Sequence, residues 1–246
     1  MLPCLLYTSL VSYTWSKSID DSSIYDTNVQ WLGNYGSYIG GNIQNPNKPW
    51  LERSLSTFDV PSVLKFSYSY DLPLGRGKAL LGNMPRALEA VIGGWKTNGI
   101  WQISDGRPIS FFTLNGGTPL PTYGYQRPDI VGTPKRNYGG DWVNNFFANP
   151  DVFQTPAPFT LGNAPRATGA IRTPLSFAAD LSLTKQFLLS NVHEGVHLEL
   201  RLEAENAFNH PVLGTPDSTV GDPSFGAIFY QANNPRQCQL ALKVTF

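Results

Sequence analysis

The 246-residue chain balances 18 Lys+Arg against 18 Asp+Glu, so its net charge is zero and no basic field marks it for nucleic acid. Charged residues make up 15 %, below the usual quarter, while Gly (23), Pro (20) and aromatics (13 %) are plentiful. That mix suits strands joined by turn-rich loops and disfavours a helical enzyme, and no apolar run is long enough for a transmembrane helix.

Met1 to Val11 superficially resembles a signal peptide but lacks a basic start and a small-x-small cleavage site. The run Cys4-Leu5-Leu6-Tyr7-Thr8-Ser9 reads instead as a translated sequencing-library adapter. Residues 1–9 are therefore expected to be a non-native leader, and residues 10–246 a C-terminal fragment of a longer barrel domain. A lipoprotein start at Leu2-Pro3-Cys4 is the rival, disfavoured by Pro before the Cys. Cys4 and Cys238 stand at opposite ends of the chain in no metal-spaced cluster.

From Leu10 to Ser18, Val11, Tyr13 and Trp15 alternate with Ser12, Thr14 and Ser16, which predicts a strand with one aromatic face. Residues 20–59 are rich in Gly, Asn, Ser and Tyr and read as a long loop. Between Val60 and Tyr70, Leu64, Phe66, Tyr68 and Tyr70 oppose Lys65, Ser67 and Ser69. Leu72-Pro73 breaks that strand, and Pro85 to Ile92 predicts a short helix ended by Gly93-Gly94, with Leu88, Val91 and Ile92 on one side. Alternation resumes at Trp95 to Ser104, with Trp95, Thr97, Gly99, Trp101 and Ile103 against Lys96, Asn98 and Gln102. Pairing is expected to run on towards Phe112 through a kink at Gly106 and Pro108. Residues 115–174 read as one long irregular loop.

Phe177, Ala179, Leu181 and Leu183 then oppose Ala178, Asp180, Ser182 and Thr184. The cleanest strand follows a short break, with Val196, Leu198, Leu200, Leu202 and Ala204 against His197, Glu199, Arg201, Glu203 and Glu205. Its charged face has to lie in water or pair with neighbours, because burying such groups unpaired is prohibitive. Another loop, with a minor strand expected at Phe225 to Tyr230, leads to Arg236–Phe246. There Cys238, Leu240, Leu242, Val244 and Phe246 share one face, and Gln237, Gln239, Ala241, Lys243 and Thr245 the other.

The pattern predicts an all-β fold: about six antiparallel up-and-down strands forming a curved, open section of a transmembrane β-barrel. Parity supports it. With the C-terminus on the periplasmic side, the long connections at about 19–59, 113–175 and 209–235 lie outside and the shorter ones inside, the arrangement of outer-membrane barrels. On this reading Lys65, Lys96, Asp180, His197, Glu199, Arg201, Glu203, Glu205 and Lys243 face the lumen. Tyr13, Trp15, Tyr68, Tyr70, Trp95 and Trp101 belong to membrane girdles. Leu240, Leu242, Val244 and the terminal Phe246 form the signal read by the barrel-assembly machinery. The apolar face should be uncovered and both sheet edges open.

Three catalytic or ligand motifs are weighed and set aside. Gly75-Arg76-Gly77-Lys78 lacks the full phosphate-loop spacing, and Ala79 follows the Lys. His193 and His197 are four apart, which on a strand separates them by about 13 Å, too far for one metal. Glu199, Glu203 and Glu205 are spaced for a carboxylate pair, but Arg201 among them suggests a charge ladder. No cofactor, metal or enzymatic activity is expected. Tyr123, Tyr125, Phe146 and Phe147 in the loops either contact ligand or pack the loops together.

Several runs carry a family resemblance: Tyr13-Thr14-Trp15-Ser16-Lys17-Ser18, Phe58-Asp59-Val60-Pro61, Gly93-Gly94-Trp95, Asn98-Gly99-Ile100-Trp101 and Pro235-Arg236-Gln237. The most specific is Glu203-Ala204-Glu205-Asn206-Ala207-Phe208-Asn209-His210-Pro211. From Leu10 onward the chain resembles the C-terminal barrel strands of Oar-like TonB-dependent outer-membrane receptors. The resemblance implies a barrel of about twenty-two strands with an N-terminal plug. It also implies passage of an unknown large solute or polypeptide across the outer membrane of a Gram-negative bacterium, powered through TonB. The implied partners are outer-membrane lipid, TonB, the plug and the barrel-assembly machinery. The alternatives are a plug-less porin or adhesin barrel, and a secreted β-sandwich binding protein.

Overall fold

The computed structural model describes residues 7–23, 44, 45, 47–113, 126–188 and 196–246. Six long strands dominate: β1 (Tyr7–Trp15), β2 (Ser62–Asp71), β3 (Trp95–Ser104), β4 (Ser176–Leu188), β5 (His197–Glu205) and β6 (Gln237–Thr245). A short helix α1 (Arg86–Ile92) lies between β2 and β3. Each strand pairs antiparallel with the next in sequence, giving one sheet in the order β1 to β6. The sheet is open: β1 and β6 each have one partner strand in it. Tyr7, Thr8 and Ser9, expected to be leader, continue the β1 ladder opposite Tyr70, Ser69 and Tyr68.

Register carries the alternation of each strand into a common face. Tyr13, Leu64, Ile103 and Phe177 form one continuous row, and so do Val11, Phe66, Trp101 and Ala179. Leu183, Leu202 and Leu240 align across the last three strands. The opposite face carries Ser12, Lys65 and Gln102, and further along Gln186, Glu199 and Lys243. Leu10 and Ile100 are exposed apolar residues on it, and Val63 and Leu188 share its phase.

The core does not sit on this sheet. Of the buried hydrophobic residues, Ala179 alone belongs to a long strand, while Ile109, Phe111, Phe146, Phe147, Phe153, Ile171, Val220 and Ile228 cluster in the connections after β3 and β5. Phe111 is its centre, stacked on Phe153 at 4.3 Å between centroids and tilted against Phe147 at 5.4 Å. Phe147 in turn meets Phe225 at 4.8 Å. By contrast Trp15 is 75 % exposed, Leu240 67 % and Leu242 64 %. In water such an apolar sheet face would need a second layer. The other ladders are pairs of short segments that do not provide one.

Those ladders correct the loop reading. Residues 126–174 are not irregular throughout: Asp129–Ile130 pairs with Phe153–Gln154, and Thr168–Arg172 turns back on Pro108–Ile109. The chain leaves the main sheet at Ser104, so β3 does not run on to Phe112; Phe112–Thr113 instead pairs in parallel with Thr219–Val220. No strand forms over Phe225–Tyr230, where Gly226 adopts φ +89° in a turn. The reason is shared: apolar side chains here feed a small globular core between loops, where compactness outweighs period-two alternation.

Three arginines tie this cap to the connection between β1 and β2. Arg127 pairs with Glu52, Arg166 with Asp20 and Arg172 with Asp59, the last at 2.7 Å. Both members of the first pair are buried, and Arg127 also donates to the Ala164 carbonyl at 3.3 Å. Burial pulls the Arg127 pKa below its ordinary value, although Glu52 opposes this. Arg166 spans several partners, donating to Ser23 Oγ (2.7 Å), Glu52 O (3.2 Å) and Asp20 O (3.0 Å). Asp59 closes the group by accepting from Ser18 N at 2.6 Å.

Glycine is required at one sheet position. A Cβ on Gly99 would lie 2.4 Å from the ring of Tyr68, its direct cross-strand partner. That ring stacks on Phe66 at 5.7 Å and its hydroxyl lies 3.4 Å from Thr97 Oγ1. The aromatic thus covers backbone that a glycine leaves bare.

Two outcomes follow from this packing. Gly99→Ala should destabilise the folded barrel by about 1–3 kcal/mol through overpacking. In the Gly99→Ala/Tyr68→Ala double variant the costs should be less than additive, read as urea midpoints of heat-modifiable barrel on gels. The second concerns Asp20. Burial would raise its pKa, but hydrogen bonds from Ser56 and Ser23 and the Arg166 charge hold it below the usual value. A depressed carboxylate stabilises above its unfolded pKa of about 3.9 and loses that contribution as pH falls through its folded value. The protection of amides at 18–23 and 164–168, taken against their intrinsic exchange rates at each pH, should therefore fall below about pH 4, and Asp20→Asn should flatten that dependence.

Candidate functional site: the polar face and its charge ladder

A strand alternates its side chains, so β5 must present His197, Glu199, Arg201, Glu203 and Glu205 on one side once Leu198, Leu200 and Leu202 occupy the other. Arg201 bridges its neighbours, donating to Glu199 Oε1 at 2.9 Å and Glu203 Oε1 at 3.3 Å. Gln186 on β4 donates to Glu199 Oε2 at 3.2 Å, and Lys243 on β6 stands opposite Glu199 in register. His197 pairs in register with Thr245 and Glu205 with Gln237. The ladder is hydrated: the Arg201 side chain is 47 % exposed. Water screens ion pairs in such a setting, so they add little to stability.

The remaining candidates divide by position. Lys65 stands exposed on β2 opposite Ser12 and Gln102, and Lys96 on β3 opposite Asp71 and Thr184. All nine residues expected to face the lumen occupy the same side of the sheet. Asp180 lies on that side too, but its carboxylate accepts from Asn206 N at 2.9 Å and so also serves the turn after β5. Among the described residues no cluster of His, Cys, Asp and Glu has the geometry of a metal site. His193, Tyr123 and Tyr125 lie outside the described residues. Cys238 is a free, exposed thiol on the apolar side.

The aromatics fall on the opposite side. Tyr13 and Trp15 stand towards the loop-cap end, Tyr70 and Trp95 towards the other, with Tyr68 between. Leu240, Leu242, Val244 and Phe246 project without cover, Phe246 being 98 % exposed. Trp101 departs from the expectation of an uncovered face. It packs against Phe208 at 5.2 Å and Phe177 at 6.1 Å between centroids, while Phe177 meets the edge of His210.

The run Asn206-Ala207-Phe208-Asn209-His210 produces that cover. Asn206 and Asn209 adopt φ +47° and +51°, conformations that Asn tolerates better than most residues. Asn206 Oδ1 accepts from His210 N at 2.9 Å, while its Nδ2 donates to Asn234 O at 3.0 Å. Asn209 Oδ1 accepts from Arg236 N at 3.0 Å. The motif ties the end of β5 to the start of β6 and folds Phe208 back over the apolar face.

Sequence reasoning missed Lys185. It continues the apolar phase of β4 after Leu181 and Leu183 and is nonetheless buried. Its ammonium donates to the carbonyls of Gly93 (2.5 Å) and Glu89 (3.0 Å), with Trp95 and Phe187 flanking it. A cation in an apolar phase was the available signal, since it demanded a partner. Phe146 and Phe147 are core residues of the loop cap.

One face apolar and uncovered by a second sheet, one face hydrated and charged, and a self-packed cap at one end are the properties of a barrel wall in lipid. Neither the curated proteins nor the solved structures give a match. Residues 7–239 match the family described as an outer membrane beta barrel domain, and the chain belongs to that family, which places it in the outer membrane of a Gram-negative bacterium.

Proposed function

We propose that residues 10–246 are the C-terminal barrel section of an Oar-like TonB-dependent receptor. Such a receptor moves a large solute or polypeptide across the outer membrane. The observation that supports this most is the open six-stranded sheet beneath a large folded cap. About eight strands are needed before a barrel interior is merely filled by side chains. Six strands with two unpaired edges therefore suit a wall to be completed by further strands. In a receptor of this kind an N-terminal plug would seal the lumen, and TonB would supply the pull that moves it.

In this reading the ladder Glu199–Arg201–Glu203, with Lys243, Lys65 and Lys96 on the same face, hydrates the lumen and offers charged partners to the plug. Leu240, Leu242, Val244 and Phe246 are presented to the assembly machinery during insertion. The porin or adhesin alternative needs the same wall but no plug.

Planar-bilayer recording separates the readings without knowledge of the solute. The full-length protein should show no steady conductance until urea extracts the plug, and should bind the isolated periplasmic domain of TonB. Steady conductance from the outset, or no TonB binding, would overturn the proposal.

A further inference from the structure

The segment between β2 and β3 exposes five large apolar side chains in succession: Leu80, Leu81, Leu88, Val91 and Ile92. Leu88, Val91 and Ile92 have the i, i+3, i+4 spacing of one helical stripe, and Val91 is 66 % exposed. Leu81 is held at φ +60°, a costly conformation for a bulky residue, in a turn closed by Met84 N donating to Leu81 O. Nothing in water rewards this arrangement.

The side of the sheet on which α1 sits explains it. Lys185 and Trp95 both belong to the apolar face, opposite each other in register. Lys185 Nζ caps the helix at Glu89 O and Gly93 O, and Trp95 Nε1 donates to Val91 O at 2.8 Å. These bonds hold α1 against the apolar, lipid-facing side, at the end opposite the loop cap. Glu89, itself within the helix, accepts from Arg76 N at 2.7 Å and so binds the preceding turn to it. That turn and the helix start carry Arg76, Lys78 and Arg86, all exposed and in no ion pair among the described residues.

We propose that residues 76–92 form an interfacial anchor in the periplasmic leaflet. The stripe of Leu88, Val91 and Ile92, with Leu80 and Leu81, enters the acyl boundary, and Arg76, Lys78 and Arg86 engage anionic phospholipid headgroups. Two features select lipid as the occupant. The stripe is continuous with the membrane-facing side of the wall, and the adjacent charge is cationic where the leaflet is anionic. This is how short amphipathic helices lie in an interface. Lys185 makes the device possible by anchoring the helix C-terminus with a charge whose partners are carbonyls rather than water. The inference holds whether or not the barrel carries a plug.

The test is depth-dependent fluorescence quenching on the full-length protein reconstituted in phosphatidylglycerol-containing vesicles. A bimane label at Val91→Cys, in a background of Cys4→Ser and Cys238→Ser, should be quenched severalfold by brominated phospholipid. A label at Leu242→Cys serves as the lipid-facing control and one at Tyr138→Cys as the loop control. Arg76→Gln/Lys78→Gln/Arg86→Gln should lose at least half of that quenching while the Leu242→Cys control keeps its own. A Val91→Cys label as insensitive to brominated lipid as the loop control would overturn the proposal, whether water or protein covers it. Unchanged quenching in the triple variant would overturn the headgroup contact.

Discussion

Register is the constraint on which the structure depends. Side chains alternate with period two, so a one-residue slip in any of the five pairings would turn the apolar set of that strand to the wrong side. The penalty is large in a membrane wall, because the misplaced face would put Glu199, Arg201 and Glu203 in lipid and Leu198, Leu200 and Leu202 in water. Individual devices reinforce it. Tyr68 covers the bare backbone at Gly99, and the Asn206 turn sets the start of β6 against the end of β5.

Membrane and loops divide the two tasks of a core. In the sheet the apolar side chains need no protein partner, because lipid serves as their environment. The loop cap lies beyond the lipid and has to bury its own surface, which it does around Phe111, Phe147 and Phe153. A small core in water is marginal by itself. The arginine–carboxylate pairs add connections between segments far apart in sequence, joining Asp20, Glu52 and Asp59 to Arg166, Arg127 and Arg172. Breaking such a pair by removing one partner is costly when the survivor stays buried, about 3–5 kcal/mol. The cap thereby acts as one body across two long connections.

What the sequence disclosed divides along the same line. The strands were legible to within a few residues, because alternation is local and both environments of a barrel wall print it into each strand. Trp95–Ser104 needed no revision, and α1 was visible from Pro85 and Gly93-Gly94. The cap was not legible. Arg166 meets Asp20 across 146 positions, and no period or spacing announces such a contact. Phe225–Tyr230 looked like a strand because aromatic and β-branched residues satisfy a loop core as well as a ladder. Lys185 was readable only as an anomaly, a cation in an apolar phase.

The charge ladder then has to be explained by something other than stability. Pairs as exposed as Arg201 with Glu199 and Glu203 are screened by water and add little to stability. The Arg127–Glu52 pair of the cap shows what this chain does when it uses charge for structure: it removes both partners from water, and Arg127 also meets the Ala164 carbonyl. On β5 it does the opposite. Glu199, Arg201, Glu203 and Glu205 remain wet, with Glu205 in no ion pair among the described residues. A charged strip kept in water on one face of a barrel wall keeps that face hydrated while the opposite face meets lipid.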